Sequence, residues 1–182
     1  MVQKHGPWTI QDKTQKYQNS FINVCEDQVL QPSGQPGMYA TVTMKPGVAV
    51  LPIDNDSFVY LTQQFRYAIG KESIEVVSGA VDENEPPLEA AQREVREELG
   101  VEADEWIDLG VVDLDTSIVL CPTHLFLAKR LTFSETEREE TETIETVKIS
   151  FDEAVEMVMA SVITHGPSCV LILKALKAHQ SP

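Results

Sequence analysis

The chain has 182 residues, enough for one well-buried domain with a small appendage and too few for two large ones. With 29 acidic against 14 basic residues it carries a net charge of −15, which repels nucleic acid and anionic membranes, because phosphate contacts need clustered Lys and Arg. No run approaches the roughly 20 apolar residues that span a bilayer, and residues 1–8 lack the apolar core of a signal peptide, so a cytoplasmic chain without nucleic-acid or membrane partners is expected.

In chain order, residues 8–35 read as short strands. Alternation in Ser20-Phe21-Ile22-Asn23-Val24 is strand-like, and residues 31–37 form a turn-rich loop. Residues 1–37 are too few for a core of their own and must pack on the rest or on a second subunit; residues 38–182 are expected to form the main domain. Strands are predicted at 39–44, 48–53 and 58–63, separated by Lys45-Pro46-Gly47 and Asp54-Asn55-Asp56.

A helix is predicted over 87–99. Leu88, Ala91, Val95 and Leu99 make one apolar stripe, Pro86 and Pro87 suit its start, and Gly100 suits its stop. Short strands follow at 107–112, 124–128 and 147–149. Helices are then predicted at 151–160 and 168–178, separated by Gly166-Pro167. Strands and helices mixed without regular alternation indicate an α+β fold with a mixed sheet. Cys25, Cys121 and Cys169 have no Cys-x-x-Cys spacing and read as small buried thiols; His5, His124, His165 and His179 read as scattered surface imidazoles.

The informative element is the helix ending at Gly100. Glu94 and Glu98 lie four apart on one face and repel each other, and Glu97 lies beside them. Glu97 and Glu98 also sit at the negative end of the helix dipole, at a cost of about 0.3–1 kcal/mol each. A carboxylate cluster at the unfavourable helix end suits a hard divalent cation such as Mg²⁺ or Mn²⁺, which takes oxygen ligands. Such a cation would also reconcile this acidic surface with an anionic substrate.

Residues 79–101 read GAVDENEPPLEAAQREVREELGV and are similar, without a departure, to the Nudix box: Gly, five residues, Glu, seven residues, then Arg-Glu-aliphatic-x-Glu-Glu-x-Gly-aliphatic. The matching positions are Gly79, Glu85, Arg93, Glu94, Val95, Glu97, Glu98, Gly100 and Val101. Looser likeness to the ADP-ribose pyrophosphatase branch lies in residues 48–53, in Leu61-Thr62-Gln63-Gln64-Phe65-Arg66-Tyr67 and in Ile74-Glu75-Val76-Val77-Ser78-Gly79, where Val77 stands for the usual proline. The fold implied is a Nudix α/β/α sandwich with a mixed sheet plus a small N-terminal antiparallel β region used in dimerisation, so the resemblance also implies a homodimer.

The same resemblance implies roles. Glu94 and Glu98 would be the main metal ligands, Glu97 a ligand or a residue that positions water, and the Ser78 carbonyl a further donor. Arg93 would orient the carboxylates, Glu85 would brace the loop and helix, and Arg66 would hold the substrate phosphates, with Glu75 beside it in the substrate-binding set. Gly79 would permit a tight loop entry and Gly100 the helix stop. A base outside the box would be Glu142, in Glu142-Thr143-Ile144-Glu145, with Glu145 and Glu140 as alternates. The activity implied is metal-dependent cleavage of ADP-ribose to AMP and ribose 5-phosphate. Residues 117–123 depart from the branch: an apolar loop replaces one that carries Gly and an acid. Nucleoside diphosphate sugars, dinucleoside polyphosphates, deoxynucleoside triphosphates and a non-catalytic ADP-ribose-binding module therefore stand as alternatives.

Overall fold

A computed structural model describes residues 2–134 and 144–179. Their order is β1 (Gln3–His5), β2 (Trp8–Gln18), β3 (Ile22–Leu30), β4 (Pro36–Met44), β5 (Gly47–Pro52), β6 (Phe58–Arg66), β7 (Lys71–Glu75), β8 (Val77–Ala80), α1 (Pro87–Leu99), β9 (Val101–Asp113), β10 (Val119–Leu120), β11 (Pro122–Phe133), β12 (Glu145–Ser150), α2 (Phe151–Met159) and α3 (Gly166–His179). The positions expected to supply the base, Glu140 and Glu142, lie outside the described residues, whereas Glu145 opens β12 with its side chain exposed.

The chain divides into two compact units. The first takes residues 1–45 with 113–121. It is a five-stranded sheet in the order β1-β2-β3-β4-β10, antiparallel except for β10, which runs parallel to β4. Where short strands were expected, β2 and β3 are 11 and 9 residues long. Residues 11–18 of β2 are polar and exposed, so they lack the apolar alternation that marks a strand. The boundary expected after residue 37 falls inside β4 and the unit runs to Lys45. The apolar loop expected at 117–123 is also different: Val119 and Leu120 pair with Val42 and Thr43, and the Tyr39 hydroxyl donates to the Ser117 carbonyl at 2.5 Å.

The second unit, residues 46–112 with 122–182, holds two sheets, β8-β5-β11-β9 and β12-β6-β7. Its β5 pairs antiparallel with β8 and parallel with β11, so the sheet is mixed. The apolar runs of β5, β6 and β11 are continuous because both faces are buried, and successive side chains go to opposite sides. Ala49, Leu51, Val59, Leu61, Leu125 and Leu127 pack with Phe151 and Ala154 of α2 and with Leu171, Ile172 and Ala175 of α3. Val48, Val50, Tyr60, Phe126 and Ala128 pack instead with Ala90, Ala91, Val95 and Leu99 of α1. Helices thus cover both faces of the sheet, which is the α+β sandwich expected.

Local signals agree with the helix ends. Pro87 opens α1, where a missing N–H costs nothing, and Gly100 closes it at φ 63°, ψ 33°. Ser150 caps α2 by accepting from the Glu153 amide at 3.2 Å. Two details differ from the sequence reading. Gly166 and Pro167 begin α3 rather than separating it from α2, since Pro is tolerated in a first turn. Leu88 leaves the apolar stripe at 38% exposure and Ala90 takes the buried place. Among the described residues, no helix is long and apolar enough to cross a membrane.

Leu127→Ala, at a fully buried position, is expected to cost about 2–5 kcal/mol in urea unfolding. Leu88→Ala should stay within about 0.5 kcal/mol in the same assay.

Candidate metal and phosphate site

The helix α1 carries its carboxylates toward β8, which β5 holds by pairing Val48 with Gly79 and Ala49 with Ser78. At the centre lies Arg93. Its Nε donates to Glu85 Oε1 (2.9 Å), and its Nη2 donates to Glu85 Oε2 (3.0 Å) and to the Ala80 carbonyl (3.0 Å). Its Nη1 donates to Glu94 Oε1 (2.7 Å) and Glu97 Oε2 (3.2 Å). A guanidinium has five N–H donors in a fixed fork, and these five contacts use that whole capacity. The Glu85 hydrogen bonds, followed by those from Glu94, raise the Arg93 pKa further above its ordinary value despite partial burial.

Glu85 is fixed in turn. Its Oε2 also accepts from the Asp82 amide at 2.9 Å, which ties the loop before α1 to the helix. Glu98 is buried at 6% exposure, rare for a glutamate, and Glu97 is the most open of the acids on this face. Gly79 was expected to serve a loop entry, but it lies within β8 and its reason is steric. A Cβ there would overlap the carboxylate of Glu94. The glycine leaves a cradle in which that carboxylate rests against the strand backbone.

The donor set suits a hard cation. Glu94, Glu97 and Glu98 offer carboxylate oxygens and the Ser78 backbone offers a carbonyl, the ligand types Mg²⁺ and Mn²⁺ prefer. Among the described residues, no three acidic, histidine or cysteine side chains close around a single point. The carboxylates are arrayed along a helix face, an arrangement compatible with an ion that keeps several of its waters.

A second cluster lies at the β6–β7 hairpin. Arg66 Nε donates to Glu75 Oε1 at 3.1 Å and Nη2 to Oε2 at 2.6 Å, a two-pronged pair. Glu75 is only 3% exposed, so its carboxylate faces Arg66 rather than solvent. Burial alone would raise the Glu75 pKa, but the Arg66 hydrogen bonds, the His165 charge and the Ser73 hydroxyl together hold it below the ordinary 4.5. Sequence reasoning missed His165, taken for a surface imidazole. Its Nδ1 lies 3.4 Å from Glu75 Oε2 and 2.8 Å from Ser168 Oγ. No spacing signal links His165 to Glu75, because 90 residues of chain separate two groups that only folding joins.

An acid-bearing helix docked on a mixed sheet, with one arginine at the hub of its carboxylates, is the kind of oxygen-rich site that suits a hard divalent cation. The NUDIX domain family matches residues 43–164, more than half of the chain, and the chain belongs to that family. It is a Nudix pyrophosphohydrolase, and such enzymes are generally dependent on divalent metal. Among relatives, a methanol dehydrogenase activator from Bacillus methanolicus is 28% identical over 158 residues, covering 81% of this chain and 83% of the relative. An ADP-ribose pyrophosphatase from Bacillus subtilis (strain 168) is 26% identical over 148 residues, covering 80% of each. The fold is shared with a solved structure described as an ADP compounds hydrolase, at a TM-score of 0.82 and 19% identity, covering 99% of this chain and 98% of the other.

Gly79→Ala is expected to push the Glu94 side chain aside, lowering the rate of diphosphate hydrolysis on the order of 10–100-fold while the unfolding midpoint moves little. Acid titration tests the second cluster. Because the folded pKa of Glu75 is depressed, its contribution to stability is present above pH 4.5 and lost as pH falls through the folded value. The stability gap between wild type and Arg66→Ala should therefore narrow below pH 4.5 in equilibrium unfolding.

Proposed function

We propose that this enzyme hydrolyses the diphosphate of ADP-ribose to AMP and ribose 5-phosphate, using Mg²⁺ or Mn²⁺, and that it works as a homodimer. The observation that carries the reading is the Arg93 hub, which holds Glu85, Glu94 and Glu97 in fixed relation beside the Gly79 cradle. The ADP-ribose pyrophosphatase relative favours the substrate, and the intact box favours cleavage over binding alone.

In this reading Glu94, Glu97, Glu98 and the Ser78 carbonyl hold the cation. Bound there, a divalent ion supplies neutralisation of the diphosphate and a lowered pKa for water. The chain's own residues bind and aim. Arg66 offers its outer guanidinium edge to phosphate oxygens, while Glu75 behind it fixes the plane of the fork. Glu75 precedes Ser78 by three residues, at most about 11 Å of extended chain, a span that lets Arg66 and the carboxylates of α1 serve one diphosphate. Arg93 keeps the carboxylates oriented, and Glu142 takes the proton from the attacking water as the P–O bond to the leaving phosphate breaks.

Phosphate-product analysis with Mg²⁺ or Mn²⁺ across ADP-ribose, nucleoside diphosphate sugars, dinucleoside polyphosphates and deoxynucleoside triphosphates tests this, with Glu98→Gln as control. AMP from ADP-ribose and a drop of at least about 100-fold in Glu98→Gln are expected. Preference for another substrate would move the assignment to that class. Binding without cleavage of any of them would replace the enzyme reading with a sensor.

A further inference from the structure

The N-terminus of α3 meets the β6–β7 hairpin through His165. The residue immediately precedes α3, and its carbonyl accepts the first helical bond from the Cys169 amide at 3.0 Å. The ring turns back so that Nδ1 meets Ser168 Oγ at 2.8 Å and Glu75 Oε2 at 3.4 Å. Ser168 is fully buried, and its Oγ also accepts from the Val76 amide at 3.0 Å. A hydrolytic Ser-His-Glu relay is excluded by this geometry. Both contacts fall on the same ring nitrogen, and the hydroxyl has no access to solvent.

We infer that His165 is a positioning residue that sets, through Glu75, how firmly Arg66 is held for substrate phosphate. The inference rests on the phosphate-holding role proposed for Arg66. Glu75 Oε2 is the shared atom: it accepts from Arg66 Nη2 at 2.6 Å and lies against His165 Nδ1. With the ring neutral, Nδ1 accepts from Ser168 and the ring rests against Glu75, keeping its carboxylate on Arg66. Protonation makes Nδ1 a donor, places a second cation beside Glu75 and draws Oε2 away from the guanidinium. The charged groups that act on the ring are Glu75 from β7 and Arg66 from β6. Burial, then Arg66, favours the neutral ring and Glu75 opposes them, so the neutral state prevails near pH 7. The positive end of α3 acts in the same direction.

The test is a double-mutant cycle on ADP-ribose turnover with Mg²⁺, comparing wild type, His165→Ala, Arg66→Ala and the double variant. His165→Asn retains a helix-capping side chain without a titrating ring. Arg66→Ala should raise KM. His165→Ala should raise KM by about tenfold with kcat nearly unchanged, and should add nothing in the Arg66→Ala background. Wild-type KM should climb as pH falls below about 6.5, whereas His165→Asn should stay flat there. Equal losses in kcat and KM, additivity with Arg66→Ala, or an unchanged KM in both His165 variants would overturn the inference while leaving Arg66 its role. An unchanged KM in Arg66→Ala would instead sink the phosphate role of Arg66, and the inference with it. If ADP-ribose is not cleaved, the substrate assignment alone fails, and the same cycle is read on whichever diphosphate derivative the product analysis selects.

Discussion

The site depends on one guanidinium. Glu94, Glu97 and Glu98 crowd the last turns of α1, where mutual repulsion and the helix dipole both oppose them. Arg93 offsets part of that repulsion by spending its donors on Glu85, Glu94, Glu97 and the Ala80 carbonyl. A lysine would supply the charge without the fork, so it could not fix three acids and a strand carbonyl in one plane. Every other feature of the box is arranged around this hub. Glu85 anchors it to the loop through the Asp82 amide, Gly79 makes room for the Glu94 carboxylate, and Gly100 ends the helix directly beyond the acids.

The hub would be useless on a mobile helix, and the sheet supplies the rigidity. Val48 and Val50 of β5 pack toward α1 while Ala49 and Leu51 pack toward α2 and α3, so one strand ties both helical layers together. The same β5 pairs with β8 through Ser78 and Gly79, and Gly79 lies against the Glu94 carboxylate. Small residues matter here: Ala90 and Ala91 are fully buried where α1 meets the sheet, and a larger side chain would push the carboxylates outward.

Burial disfavours the charged form of both titratable groups at the second cluster, with different outcomes. At Glu75 it would neutralise the carboxylate, and the forked pair with Arg66 keeps it charged. At His165 it favours the neutral ring. One buried acid between a permanent cation and a titratable one is a sensitive arrangement, because a proton on the weaker partner changes the grip on the stronger. The Val76 amide bound to Ser168 connects that arrangement to the strand pair leading into Ser78 and Gly79.

Much of this was legible in the residues. The limits of α1, the two-faced strands of β5 and β6, and the identity of the box acids follow from local rules: helical periodicity, proline and glycine at helix ends, and a fixed spacing of charged side chains. Those rules act within a few residues, so the chain carries them openly. The length of β2 was underestimated because backbone pairing with β3, not apolar alternation, makes its polar residues 11–18 a strand. Leu88 was misplaced because a helix stripe has no fixed edge until a partner surface meets it, and α1 met the sheet with Ala90. Tertiary structure alone decided that Gly79 exists for the Glu94 carboxylate, that β10 adds to β4, and that His165 stands behind Glu75. Each is a contact between segments distant along the chain, and no local pattern encodes which distant atoms folding will bring together.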